Sequence, residues 1–285
     1  MSPIKAPASR LHELSGPLVR GHEPNRPAEG RFTSGPLVRG RVPLAGPLFI
    51  ALAVLLLAAG SAYGLLIAPP ERYMGDVQRI MYVHVPTAWN ALLALTLAFG
   101  CAVAFLFTRR WGFDAVLESA VEVGVVFAFL LCIQGSLWAK PTWGVFWDWD
   151  PRLTTVAVML FAFLGVLALR RFVEDPVRRA TWSAVATIIS FADVPLVYFS
   201  VRWWNSLHQV QSSPQTVDRS MVLPLRINAF GMLALLIGFV VVRSALARKR
   251  LADELAPPLA ATLSQDEAAE PLLPARPAGA HGGSR

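Results

Sequence analysis

The sequence predicts an all-α integral membrane protein with six transmembrane helices, and three observations support this fold class. Of the 285 residues, 54% are hydrophobic and only 16% are charged, which gives a mean hydropathy of +0.48. Six apolar segments are each long enough to cross a bilayer, which takes about 20 helical residues. Basic residues cluster in alternate connections between these segments, as is typical of the cytoplasmic side of a membrane protein.

The predicted spans cover residues 46–68, 88–108, 116–138, 153–172, 182–201 and 222–242. The preceding segment, residues 1–45, is rich in Pro, Gly and Arg and contains the sequence SGPLVRG twice. Such a composition favours a disordered basic tail. The first span starts about 45 residues into the chain and is too long for a signal peptide, so we expect it to remain uncleaved.

Charge predicts the orientation of the spans. The connections after the second and fourth spans and the segment after the sixth carry Arg109, Arg110, Arg170, Arg171, Arg178, Arg179, Arg243, Arg248, Lys249 and Arg250. In the other three connections, basic and acidic residues nearly balance. The positive-inside rule therefore places both termini in the cytoplasm, with a disordered tail at 246–285 and three loops on the outer side. The net charge of +7 follows this pattern and does not indicate nucleic-acid binding.

Polar residues within the spans allow two interpretations. Asp193 lies two residues before Pro195 in the fifth span, where it has either a functional role or a role in a proline kink. Glu118 and Glu122 share one face near the cytoplasmic start of the third span, and the positive end of the helix dipole favours a local structural role for them.

Tryptophan is concentrated on the predicted outer side, above all in the loop between the third and fourth spans. An aromatic belt at the membrane surface explains indoles at helix ends, but not three indoles inside one loop. We therefore predict a platform for a large planar ligand. Its candidate residues are Trp138, Trp143, Trp147, Trp149, Asp150, Trp203 and Trp204.

Two histidines lie between the tails, and both fall on the predicted outer side. His84 precedes the second span by about one turn, and His208 follows the fifth. Either one alone is typical of an ordinary interfacial residue. Together, on loops flanking the Trp-rich loop in the chain, they suit the two axial positions of an iron porphyrin. Zinc hydrolysis fits less well, because the sequence lacks HExxH and an obvious third ligand beside the two histidines.

Cationic residues near this face are candidates for binding the propionates of such a porphyrin. They are Lys140, Arg152, Arg202 and Arg226. The alternative for Arg152 is a weak surface ion pair with Asp148 or Asp150.

Three motifs, in this order along the chain, resemble those of a known family. Residues 135–154, GSLWAKPTWGVFWDWDPRLT, resemble the WWD motif of the haem-handling family of cytochrome c maturation. Residues 79–89, RIMYVHVPTAW, and 194–209, VPLVYFSVRWWNSLHQ, are similar to the two histidine loops of its CcmC, or haem exporter protein C, branch. The resemblance covers about residues 46–245.

The resemblance implies a function that the residues alone do not. It implies that haem b is bound at the periplasmic face of the bacterial inner membrane, with His84 and His208 as axial ligands on the Trp platform. It further implies delivery to the periplasmic haem chaperone CcmE, together with the ATP-binding cassette subunits CcmA and CcmB and the small membrane subunit CcmD. The chain is then a delivery factor and not an enzyme, and any ATP hydrolysis belongs to a partner.

Three alternatives remain at this stage. The chain could be a cytochrome c haem lyase, although those relatives have more helices and additional intramembrane histidines. It could be the membrane subunit of a haem-exporting ATP-binding cassette complex. In the third alternative the aromatic loop binds a quinone or lipid, and both histidines are dispensable.

Overall fold

The computed structural model describes residues 42–208 and 217–256, and α-helices dominate them. The helices are α1 (Ala45–Leu66), α2 (Met81–Thr108), α3 (Trp111–Trp143), α4 (Pro151–Phe172), α5 (Pro176–Phe191), α6 (Asp193–Trp203) and α7 (Arg219–Leu255). A 3-10 helix, Asp76–Ile80, leads directly into α2. Of the predicted tails, 1–45 and 246–285, residues 1–41 and 257–285 lie outside the described residues.

Six helical segments are long and apolar enough to cross a membrane, and no strand occurs within the described ranges. The 3-10 helix and α2 together form one of these segments, and α5 and α6 together form another. The predicted all-α class with six spans is confirmed.

Three helices extend well beyond their predicted apolar cores. The helix α2 begins at Met81, α3 runs from Trp111 to Trp143, and α7 continues to Leu255. The end of α7 thus enters the segment 246–285, for which the composition predicted disorder. The hydropathy of the sequence falls where polar residues begin. Ion pairs from Arg179 of α5 to Glu254, and from Arg250 to Glu118 of α3, nevertheless hold this end of α7 in the fold.

The fifth predicted span, 182–201, is divided into two helices. Pro195 has no N–H to donate to the carbonyl of Phe191, which is the last residue of α5. The same proline is tolerated in the first turn of α6, where an N–H has no helical partner anyway. Asp193 is the first residue of α6, so its carboxylate lies near the positive end of the helix dipole.

The helices pack as a bundle whose centre is formed by α2, α3, α4 and α5, with α7 against α2 and α3. Large apolar side chains such as Phe105, Leu117 and Phe163 are fully buried between them. The helix α1 packs along α7, and glycines permit this close approach. A Cβ atom on Gly238 would lie 2.7 Å from Cγ1 of Ile50.

The break between α5 and α6 separates α6 from α2. The helix α5 packs on both α2 and α4, but α6 continues mainly along α4 and barely contacts α2. Phe99 on α2 and Phe191 at the end of α5 stack with their ring centroids 4.2 Å apart. Beyond this stacked pair, α2 and α6 diverge towards the end of the bundle that carries His84 and His208, called here the histidine end.

Carboxylates of α3 form long-range ion pairs at the opposite end of the bundle. Glu118 contacts Arg170 of α4 and Arg250 of α7, and Glu122 contacts Arg243 of α7. The predicted role of these two glutamates was structural but local to the start of α3. Their partners lie on other helices, so they connect α3 to α4 and α7.

Candidate functional site

A cavity of about 430 Å³ lies at the histidine end, where α2 and α4 begin and α3 and α6 end. A smaller adjoining cavity of about 50 Å³ extends between the helices towards Val156 and Val197. The two cavities share part of their walls, formed by His84, Ala88, Leu92, Gly135, Arg152 and His208. The two histidines and one arginine therefore lie where the cavities adjoin.

His84 lies in the second turn of α2, not in the loop before it as the sequence predicted. Pro86 suggested a later helix start, but its missing N–H affects only the carbonyl of Tyr82, in the first turn of the helix. The imidazole of His84 packs edge-on against Trp138, with ring centroids 5.4 Å apart. Gly135 lies one turn earlier on α3, and a Cβ added there would be 3.3 Å from Cε1 of His84. The helix backbone and these two neighbours fix the direction of the ring.

His208 follows α6 and packs edge-on against Trp143, with ring centroids 5.0 Å apart. The last turns of α3 thus supply one tryptophan for each histidine. Burial and the nearby Arg152 cation lower the pKa of His208 to about 4, although Asp150 opposes this shift. The imidazole is therefore neutral at neutral pH, which is the form that binds metal ions.

Asp150 joins the Trp-rich loop to the loop that carries His208. Its Oδ1 accepts the N–H of Leu153 at 2.7 Å and so caps the start of α4. Its Oδ2 accepts the hydroxyl of Ser206 and the N–H of Leu207, and lies 3.8 Å from Nδ1 of His208. Burial raises the pKa of Asp150, but these hydrogen bonds outweigh burial and hold it below its usual value. Asp150 was predicted as part of the Trp platform, and the structure gives it a connecting position instead.

Arg152 is the one predicted propionate contact that lines the cavity. Its Nη1 is buried and has no hydrogen-bond partner among the described residues. Lys140 donates to the carbonyl of Gly144 and lies over the ring of Phe146. Arg202 lies over Tyr198, and the exposed Arg226 lies on α7 away from the cavity walls.

The predicted aromatic platform divides into two groups. Trp138, Trp143 and Trp147 line the cavities. The others are largely exposed and outside the walls, namely Trp149 (76%), Trp203 (58%) and Trp204 (48%). Trp203 stacks on Phe199 of its own helix, which turns its ring away from the site.

Gly135 and Ser206 also belong to the site, although the sequence pattern did not indicate them. Gly135 is recognisable only as a glycine in an apolar helix, because its contact with His84 depends on how α2 and α3 pack. The sequence indicates Ser206 only weakly, by its position two residues before His208. At that spacing its hydroxyl accepts a hydrogen bond from the backbone N–H of His208.

The chemistry of the site suits a large planar ligand that carries both a metal and an anionic group. Several buried polar atoms around the cavity have no hydrogen-bond partner among the described residues: Nδ1 of His84 and His208, Nε1 of Trp138 and Trp147, and Nη1 of Arg152. Buried polar groups are normally hydrogen-bonded, so their concentration here indicates a binding site. Two imidazoles can bind a metal, one guanidinium can bind a carboxylate, and the remaining walls are apolar and aromatic.

Comparison with known proteins agrees with the motif resemblance. Residues 38–256 match the family described as Heme exporter protein C. The chain is similar to the heme exporter protein C of Bradyrhizobium diazoefficiens, with 35% identity over 72% of this chain and 80% of the relative. It is also similar to that of Haemophilus influenzae, with 37% identity over 69% of this chain and 82% of the relative. A putative cytochrome c biosynthesis ccmC-like mitochondrial protein of Marchantia polymorpha is 34% identical over 62% of this chain and 77% of its own. The chain therefore belongs to the Heme exporter protein C (CcmC) family.

Proposed function

We propose that this membrane protein binds haem between His84 and His208 and delivers it to the periplasmic haem chaperone CcmE during cytochrome c maturation. The observation that carries the proposal is that both histidines line one cavity, each against a tryptophan of α3. The imidazoles are the axial ligands of haem iron, and Arg152 binds a propionate. Trp138, Trp143 and Trp147 cover the apolar macrocycle.

The proposed orientation puts the histidine end in the periplasm and both termini in the cytoplasm of a bacterial inner membrane. Basic residues at the opposite end, including Arg109, Arg170, Arg179 and Arg250, support it through the positive-inside rule. Haem b is then a bound and transported substrate, and CcmA, CcmB and CcmD are the proposed membrane-complex partners. The chain acts as a delivery factor and not as an enzyme.

Replacing either histidine with alanine is expected to convert the low-spin haem spectrum of the purified protein to a high-spin one, or to abolish it. The reason is that six-coordinate iron needs both imidazoles. Absorption spectra of the oxidised and reduced protein in detergent measure this change. His12→Ala is the matched control, because it removes a histidine far from both motifs in the chain. A wild-type protein that acquires no haem, even with CcmE present, would refute the proposed function and favour a quinone or lipid site.

Gly135→Ala is expected to weaken haem binding several-fold without destabilising the protein. The new methyl group would press on the His84 ring, whereas alanine in a helix is favoured over glycine by about 1 kcal/mol. Haem titration and thermal unfolding separate the two effects. Gly100→Ala on α2 is the control, because its Cβ would have no neighbour within 4 Å. Equal haem affinity of the two variants would show that Gly135 does not constrain His84.

A further inference from the structure

The cavity at the histidine end also opens sideways, between α2 and α6. Its walls include Trp89, Leu93 and Thr96 of α2 and Tyr198 of α6. All four are exposed at the protein surface, and Leu93 has 46% of its side chain accessible. Because these exposed side chains also line the cavity, we infer that the cavity opens between them. We call the gap bounded by these four residues the window.

The window lies between two helical segments that are apolar enough to cross a bilayer. From His84 to Thr96 the cavity wall follows α2 for 12 residues, which is about 18 Å along a helix. The three window residues of α2 belong to the segment Asp76–Thr108, which is long and apolar enough to cross a bilayer whose hydrocarbon core is about 30 Å thick. None of the four window residues carries a formal charge.

The break in the fifth span provides the physical cause of the window. Because α5 ends at Phe191, α6 follows α4 and, among the described residues, contacts α2 only weakly. The stacked rings of Phe99 and Phe191 keep α2 and α5 in contact up to the residue where α5 ends. An unbroken fifth helix would continue along α2 and cover the residues that now line the opening.

We propose that haem passes through this window between the bilayer and the histidine pair, so that the site is loaded from the lipid phase and not from water. This inference rests on the proposed function and adds the route. The macrocycle is apolar and partitions into the hydrocarbon, whereas its propionates need a polar partner. Arg152 lines both cavities together with the two histidines, and its guanidinium can receive a propionate that approaches from the side.

The experiment measures how fast haem moves from phosphatidylcholine vesicles into the full-length protein in lipid nanodiscs. Leu93→Trp and Thr96→Trp, made separately, place a large side chain in the window without touching a proposed ligand. Each is expected to slow loading about tenfold, the change that a barrier higher by about 1.4 kcal/mol produces. The final six-coordinate spectrum should be unchanged, which also shows that the variants are folded.

Val158→Trp is the matched control, because Val158 is 52% exposed on α4 and does not line the cavity. It should load at the wild-type rate. Loading of both window variants at that rate would overturn the proposed route while leaving the histidine site intact. A wild-type protein that binds no haem would instead refute the proposed function, and the route with it.

Discussion

Arg170→Met is expected to destabilise the folded protein by about 3–5 kcal/mol, the usual cost of removing one partner from a buried ion pair. The guanidinium of Arg170 is buried and binds both oxygens of Asp114, at 2.8 and 3.1 Å. It also donates to Glu118 at 2.9 Å. Methionine reproduces the stem of arginine without its guanidinium, so it leaves two buried carboxylates, with Arg250 still bound to Glu118. Unfolding in a denaturing detergent, followed by circular dichroism, measures the loss.

Arg243→Met is the matched control for this prediction. It breaks the ion pair with Glu122, in which the Arg243 side chain is 45% exposed and the Glu122 side chain 27%. Exposed ion pairs contribute at most about 1 kcal/mol to the free energy of unfolding. Adding Asp114→Asn and Glu118→Gln to the Arg170 variant should recover part of the stability, because the uncompensated charges are then gone. A loss in Arg170→Met no greater than in the control would contradict the assigned role of this ion pair in holding α3 to α4.

Hydropathy predicted the number of spans and their centres, because transfer of apolar residues into a bilayer depends on local composition alone. It could not predict where α2, α3 and α7 end. The end of α7 beyond residue 242 is polar, and its contacts are to residues far away in the chain, such as Arg250 to Glu118. The hydropathy of a short stretch of sequence cannot reveal such contacts.

The break at Ala192 shows a second limit of the sequence. Pro195 indicated an irregularity in the fifth span, but the sequence does not say whether a proline kinks a helix or ends it. The consequence is spatial and not local, since the divergence of α6 from α2 opens the side of the cavity. To predict this opening, one would need to know how α2, α4 and α6 pack against one another.

At the candidate site, the sequence indicated the histidines and three of the cavity tryptophans because these residue types are rare and conspicuous. It also indicated Trp149, Trp203 and Trp204, which are equally conspicuous but lie outside the walls. Composition identifies residues that are able to bind a planar ligand. Only the packing of the loops determines which of them face the cavity.

Asp150→Asn is expected to weaken haem binding about 10- to 100-fold, as is typical when a partner that orients a metal ligand is lost. Asparagine can still cap α4 through Oδ1, because Asn is as good an N-cap residue as Asp. Its NH₂ group would then face the N–H of Leu207, and two donors cannot form a hydrogen bond. The variant therefore keeps the helix cap and loses the hydrogen bond to the N–H of Leu207 in the His208 loop. Haem titration gives the affinity, and the share of high-spin haem shows whether His208 has detached.

Asp175→Asn is the matched control, because Asp175 caps α5 in the same way before a proline, with its carboxylate accepting the N–H of Arg178. Asp175 is exposed, so its substitution should leave both the affinity and the spin state unchanged. Ser206→Ala removes one hydrogen bond to Asp150 and should give an intermediate effect. If Asp150 were only a helix cap, Asp150→Asn would behave like the control. The helix cap is retained in both Asp150→Asn and Asp175→Asn. A rise in high-spin haem in Asp150→Asn alone would therefore show that the Asp150 carboxylate positions His208.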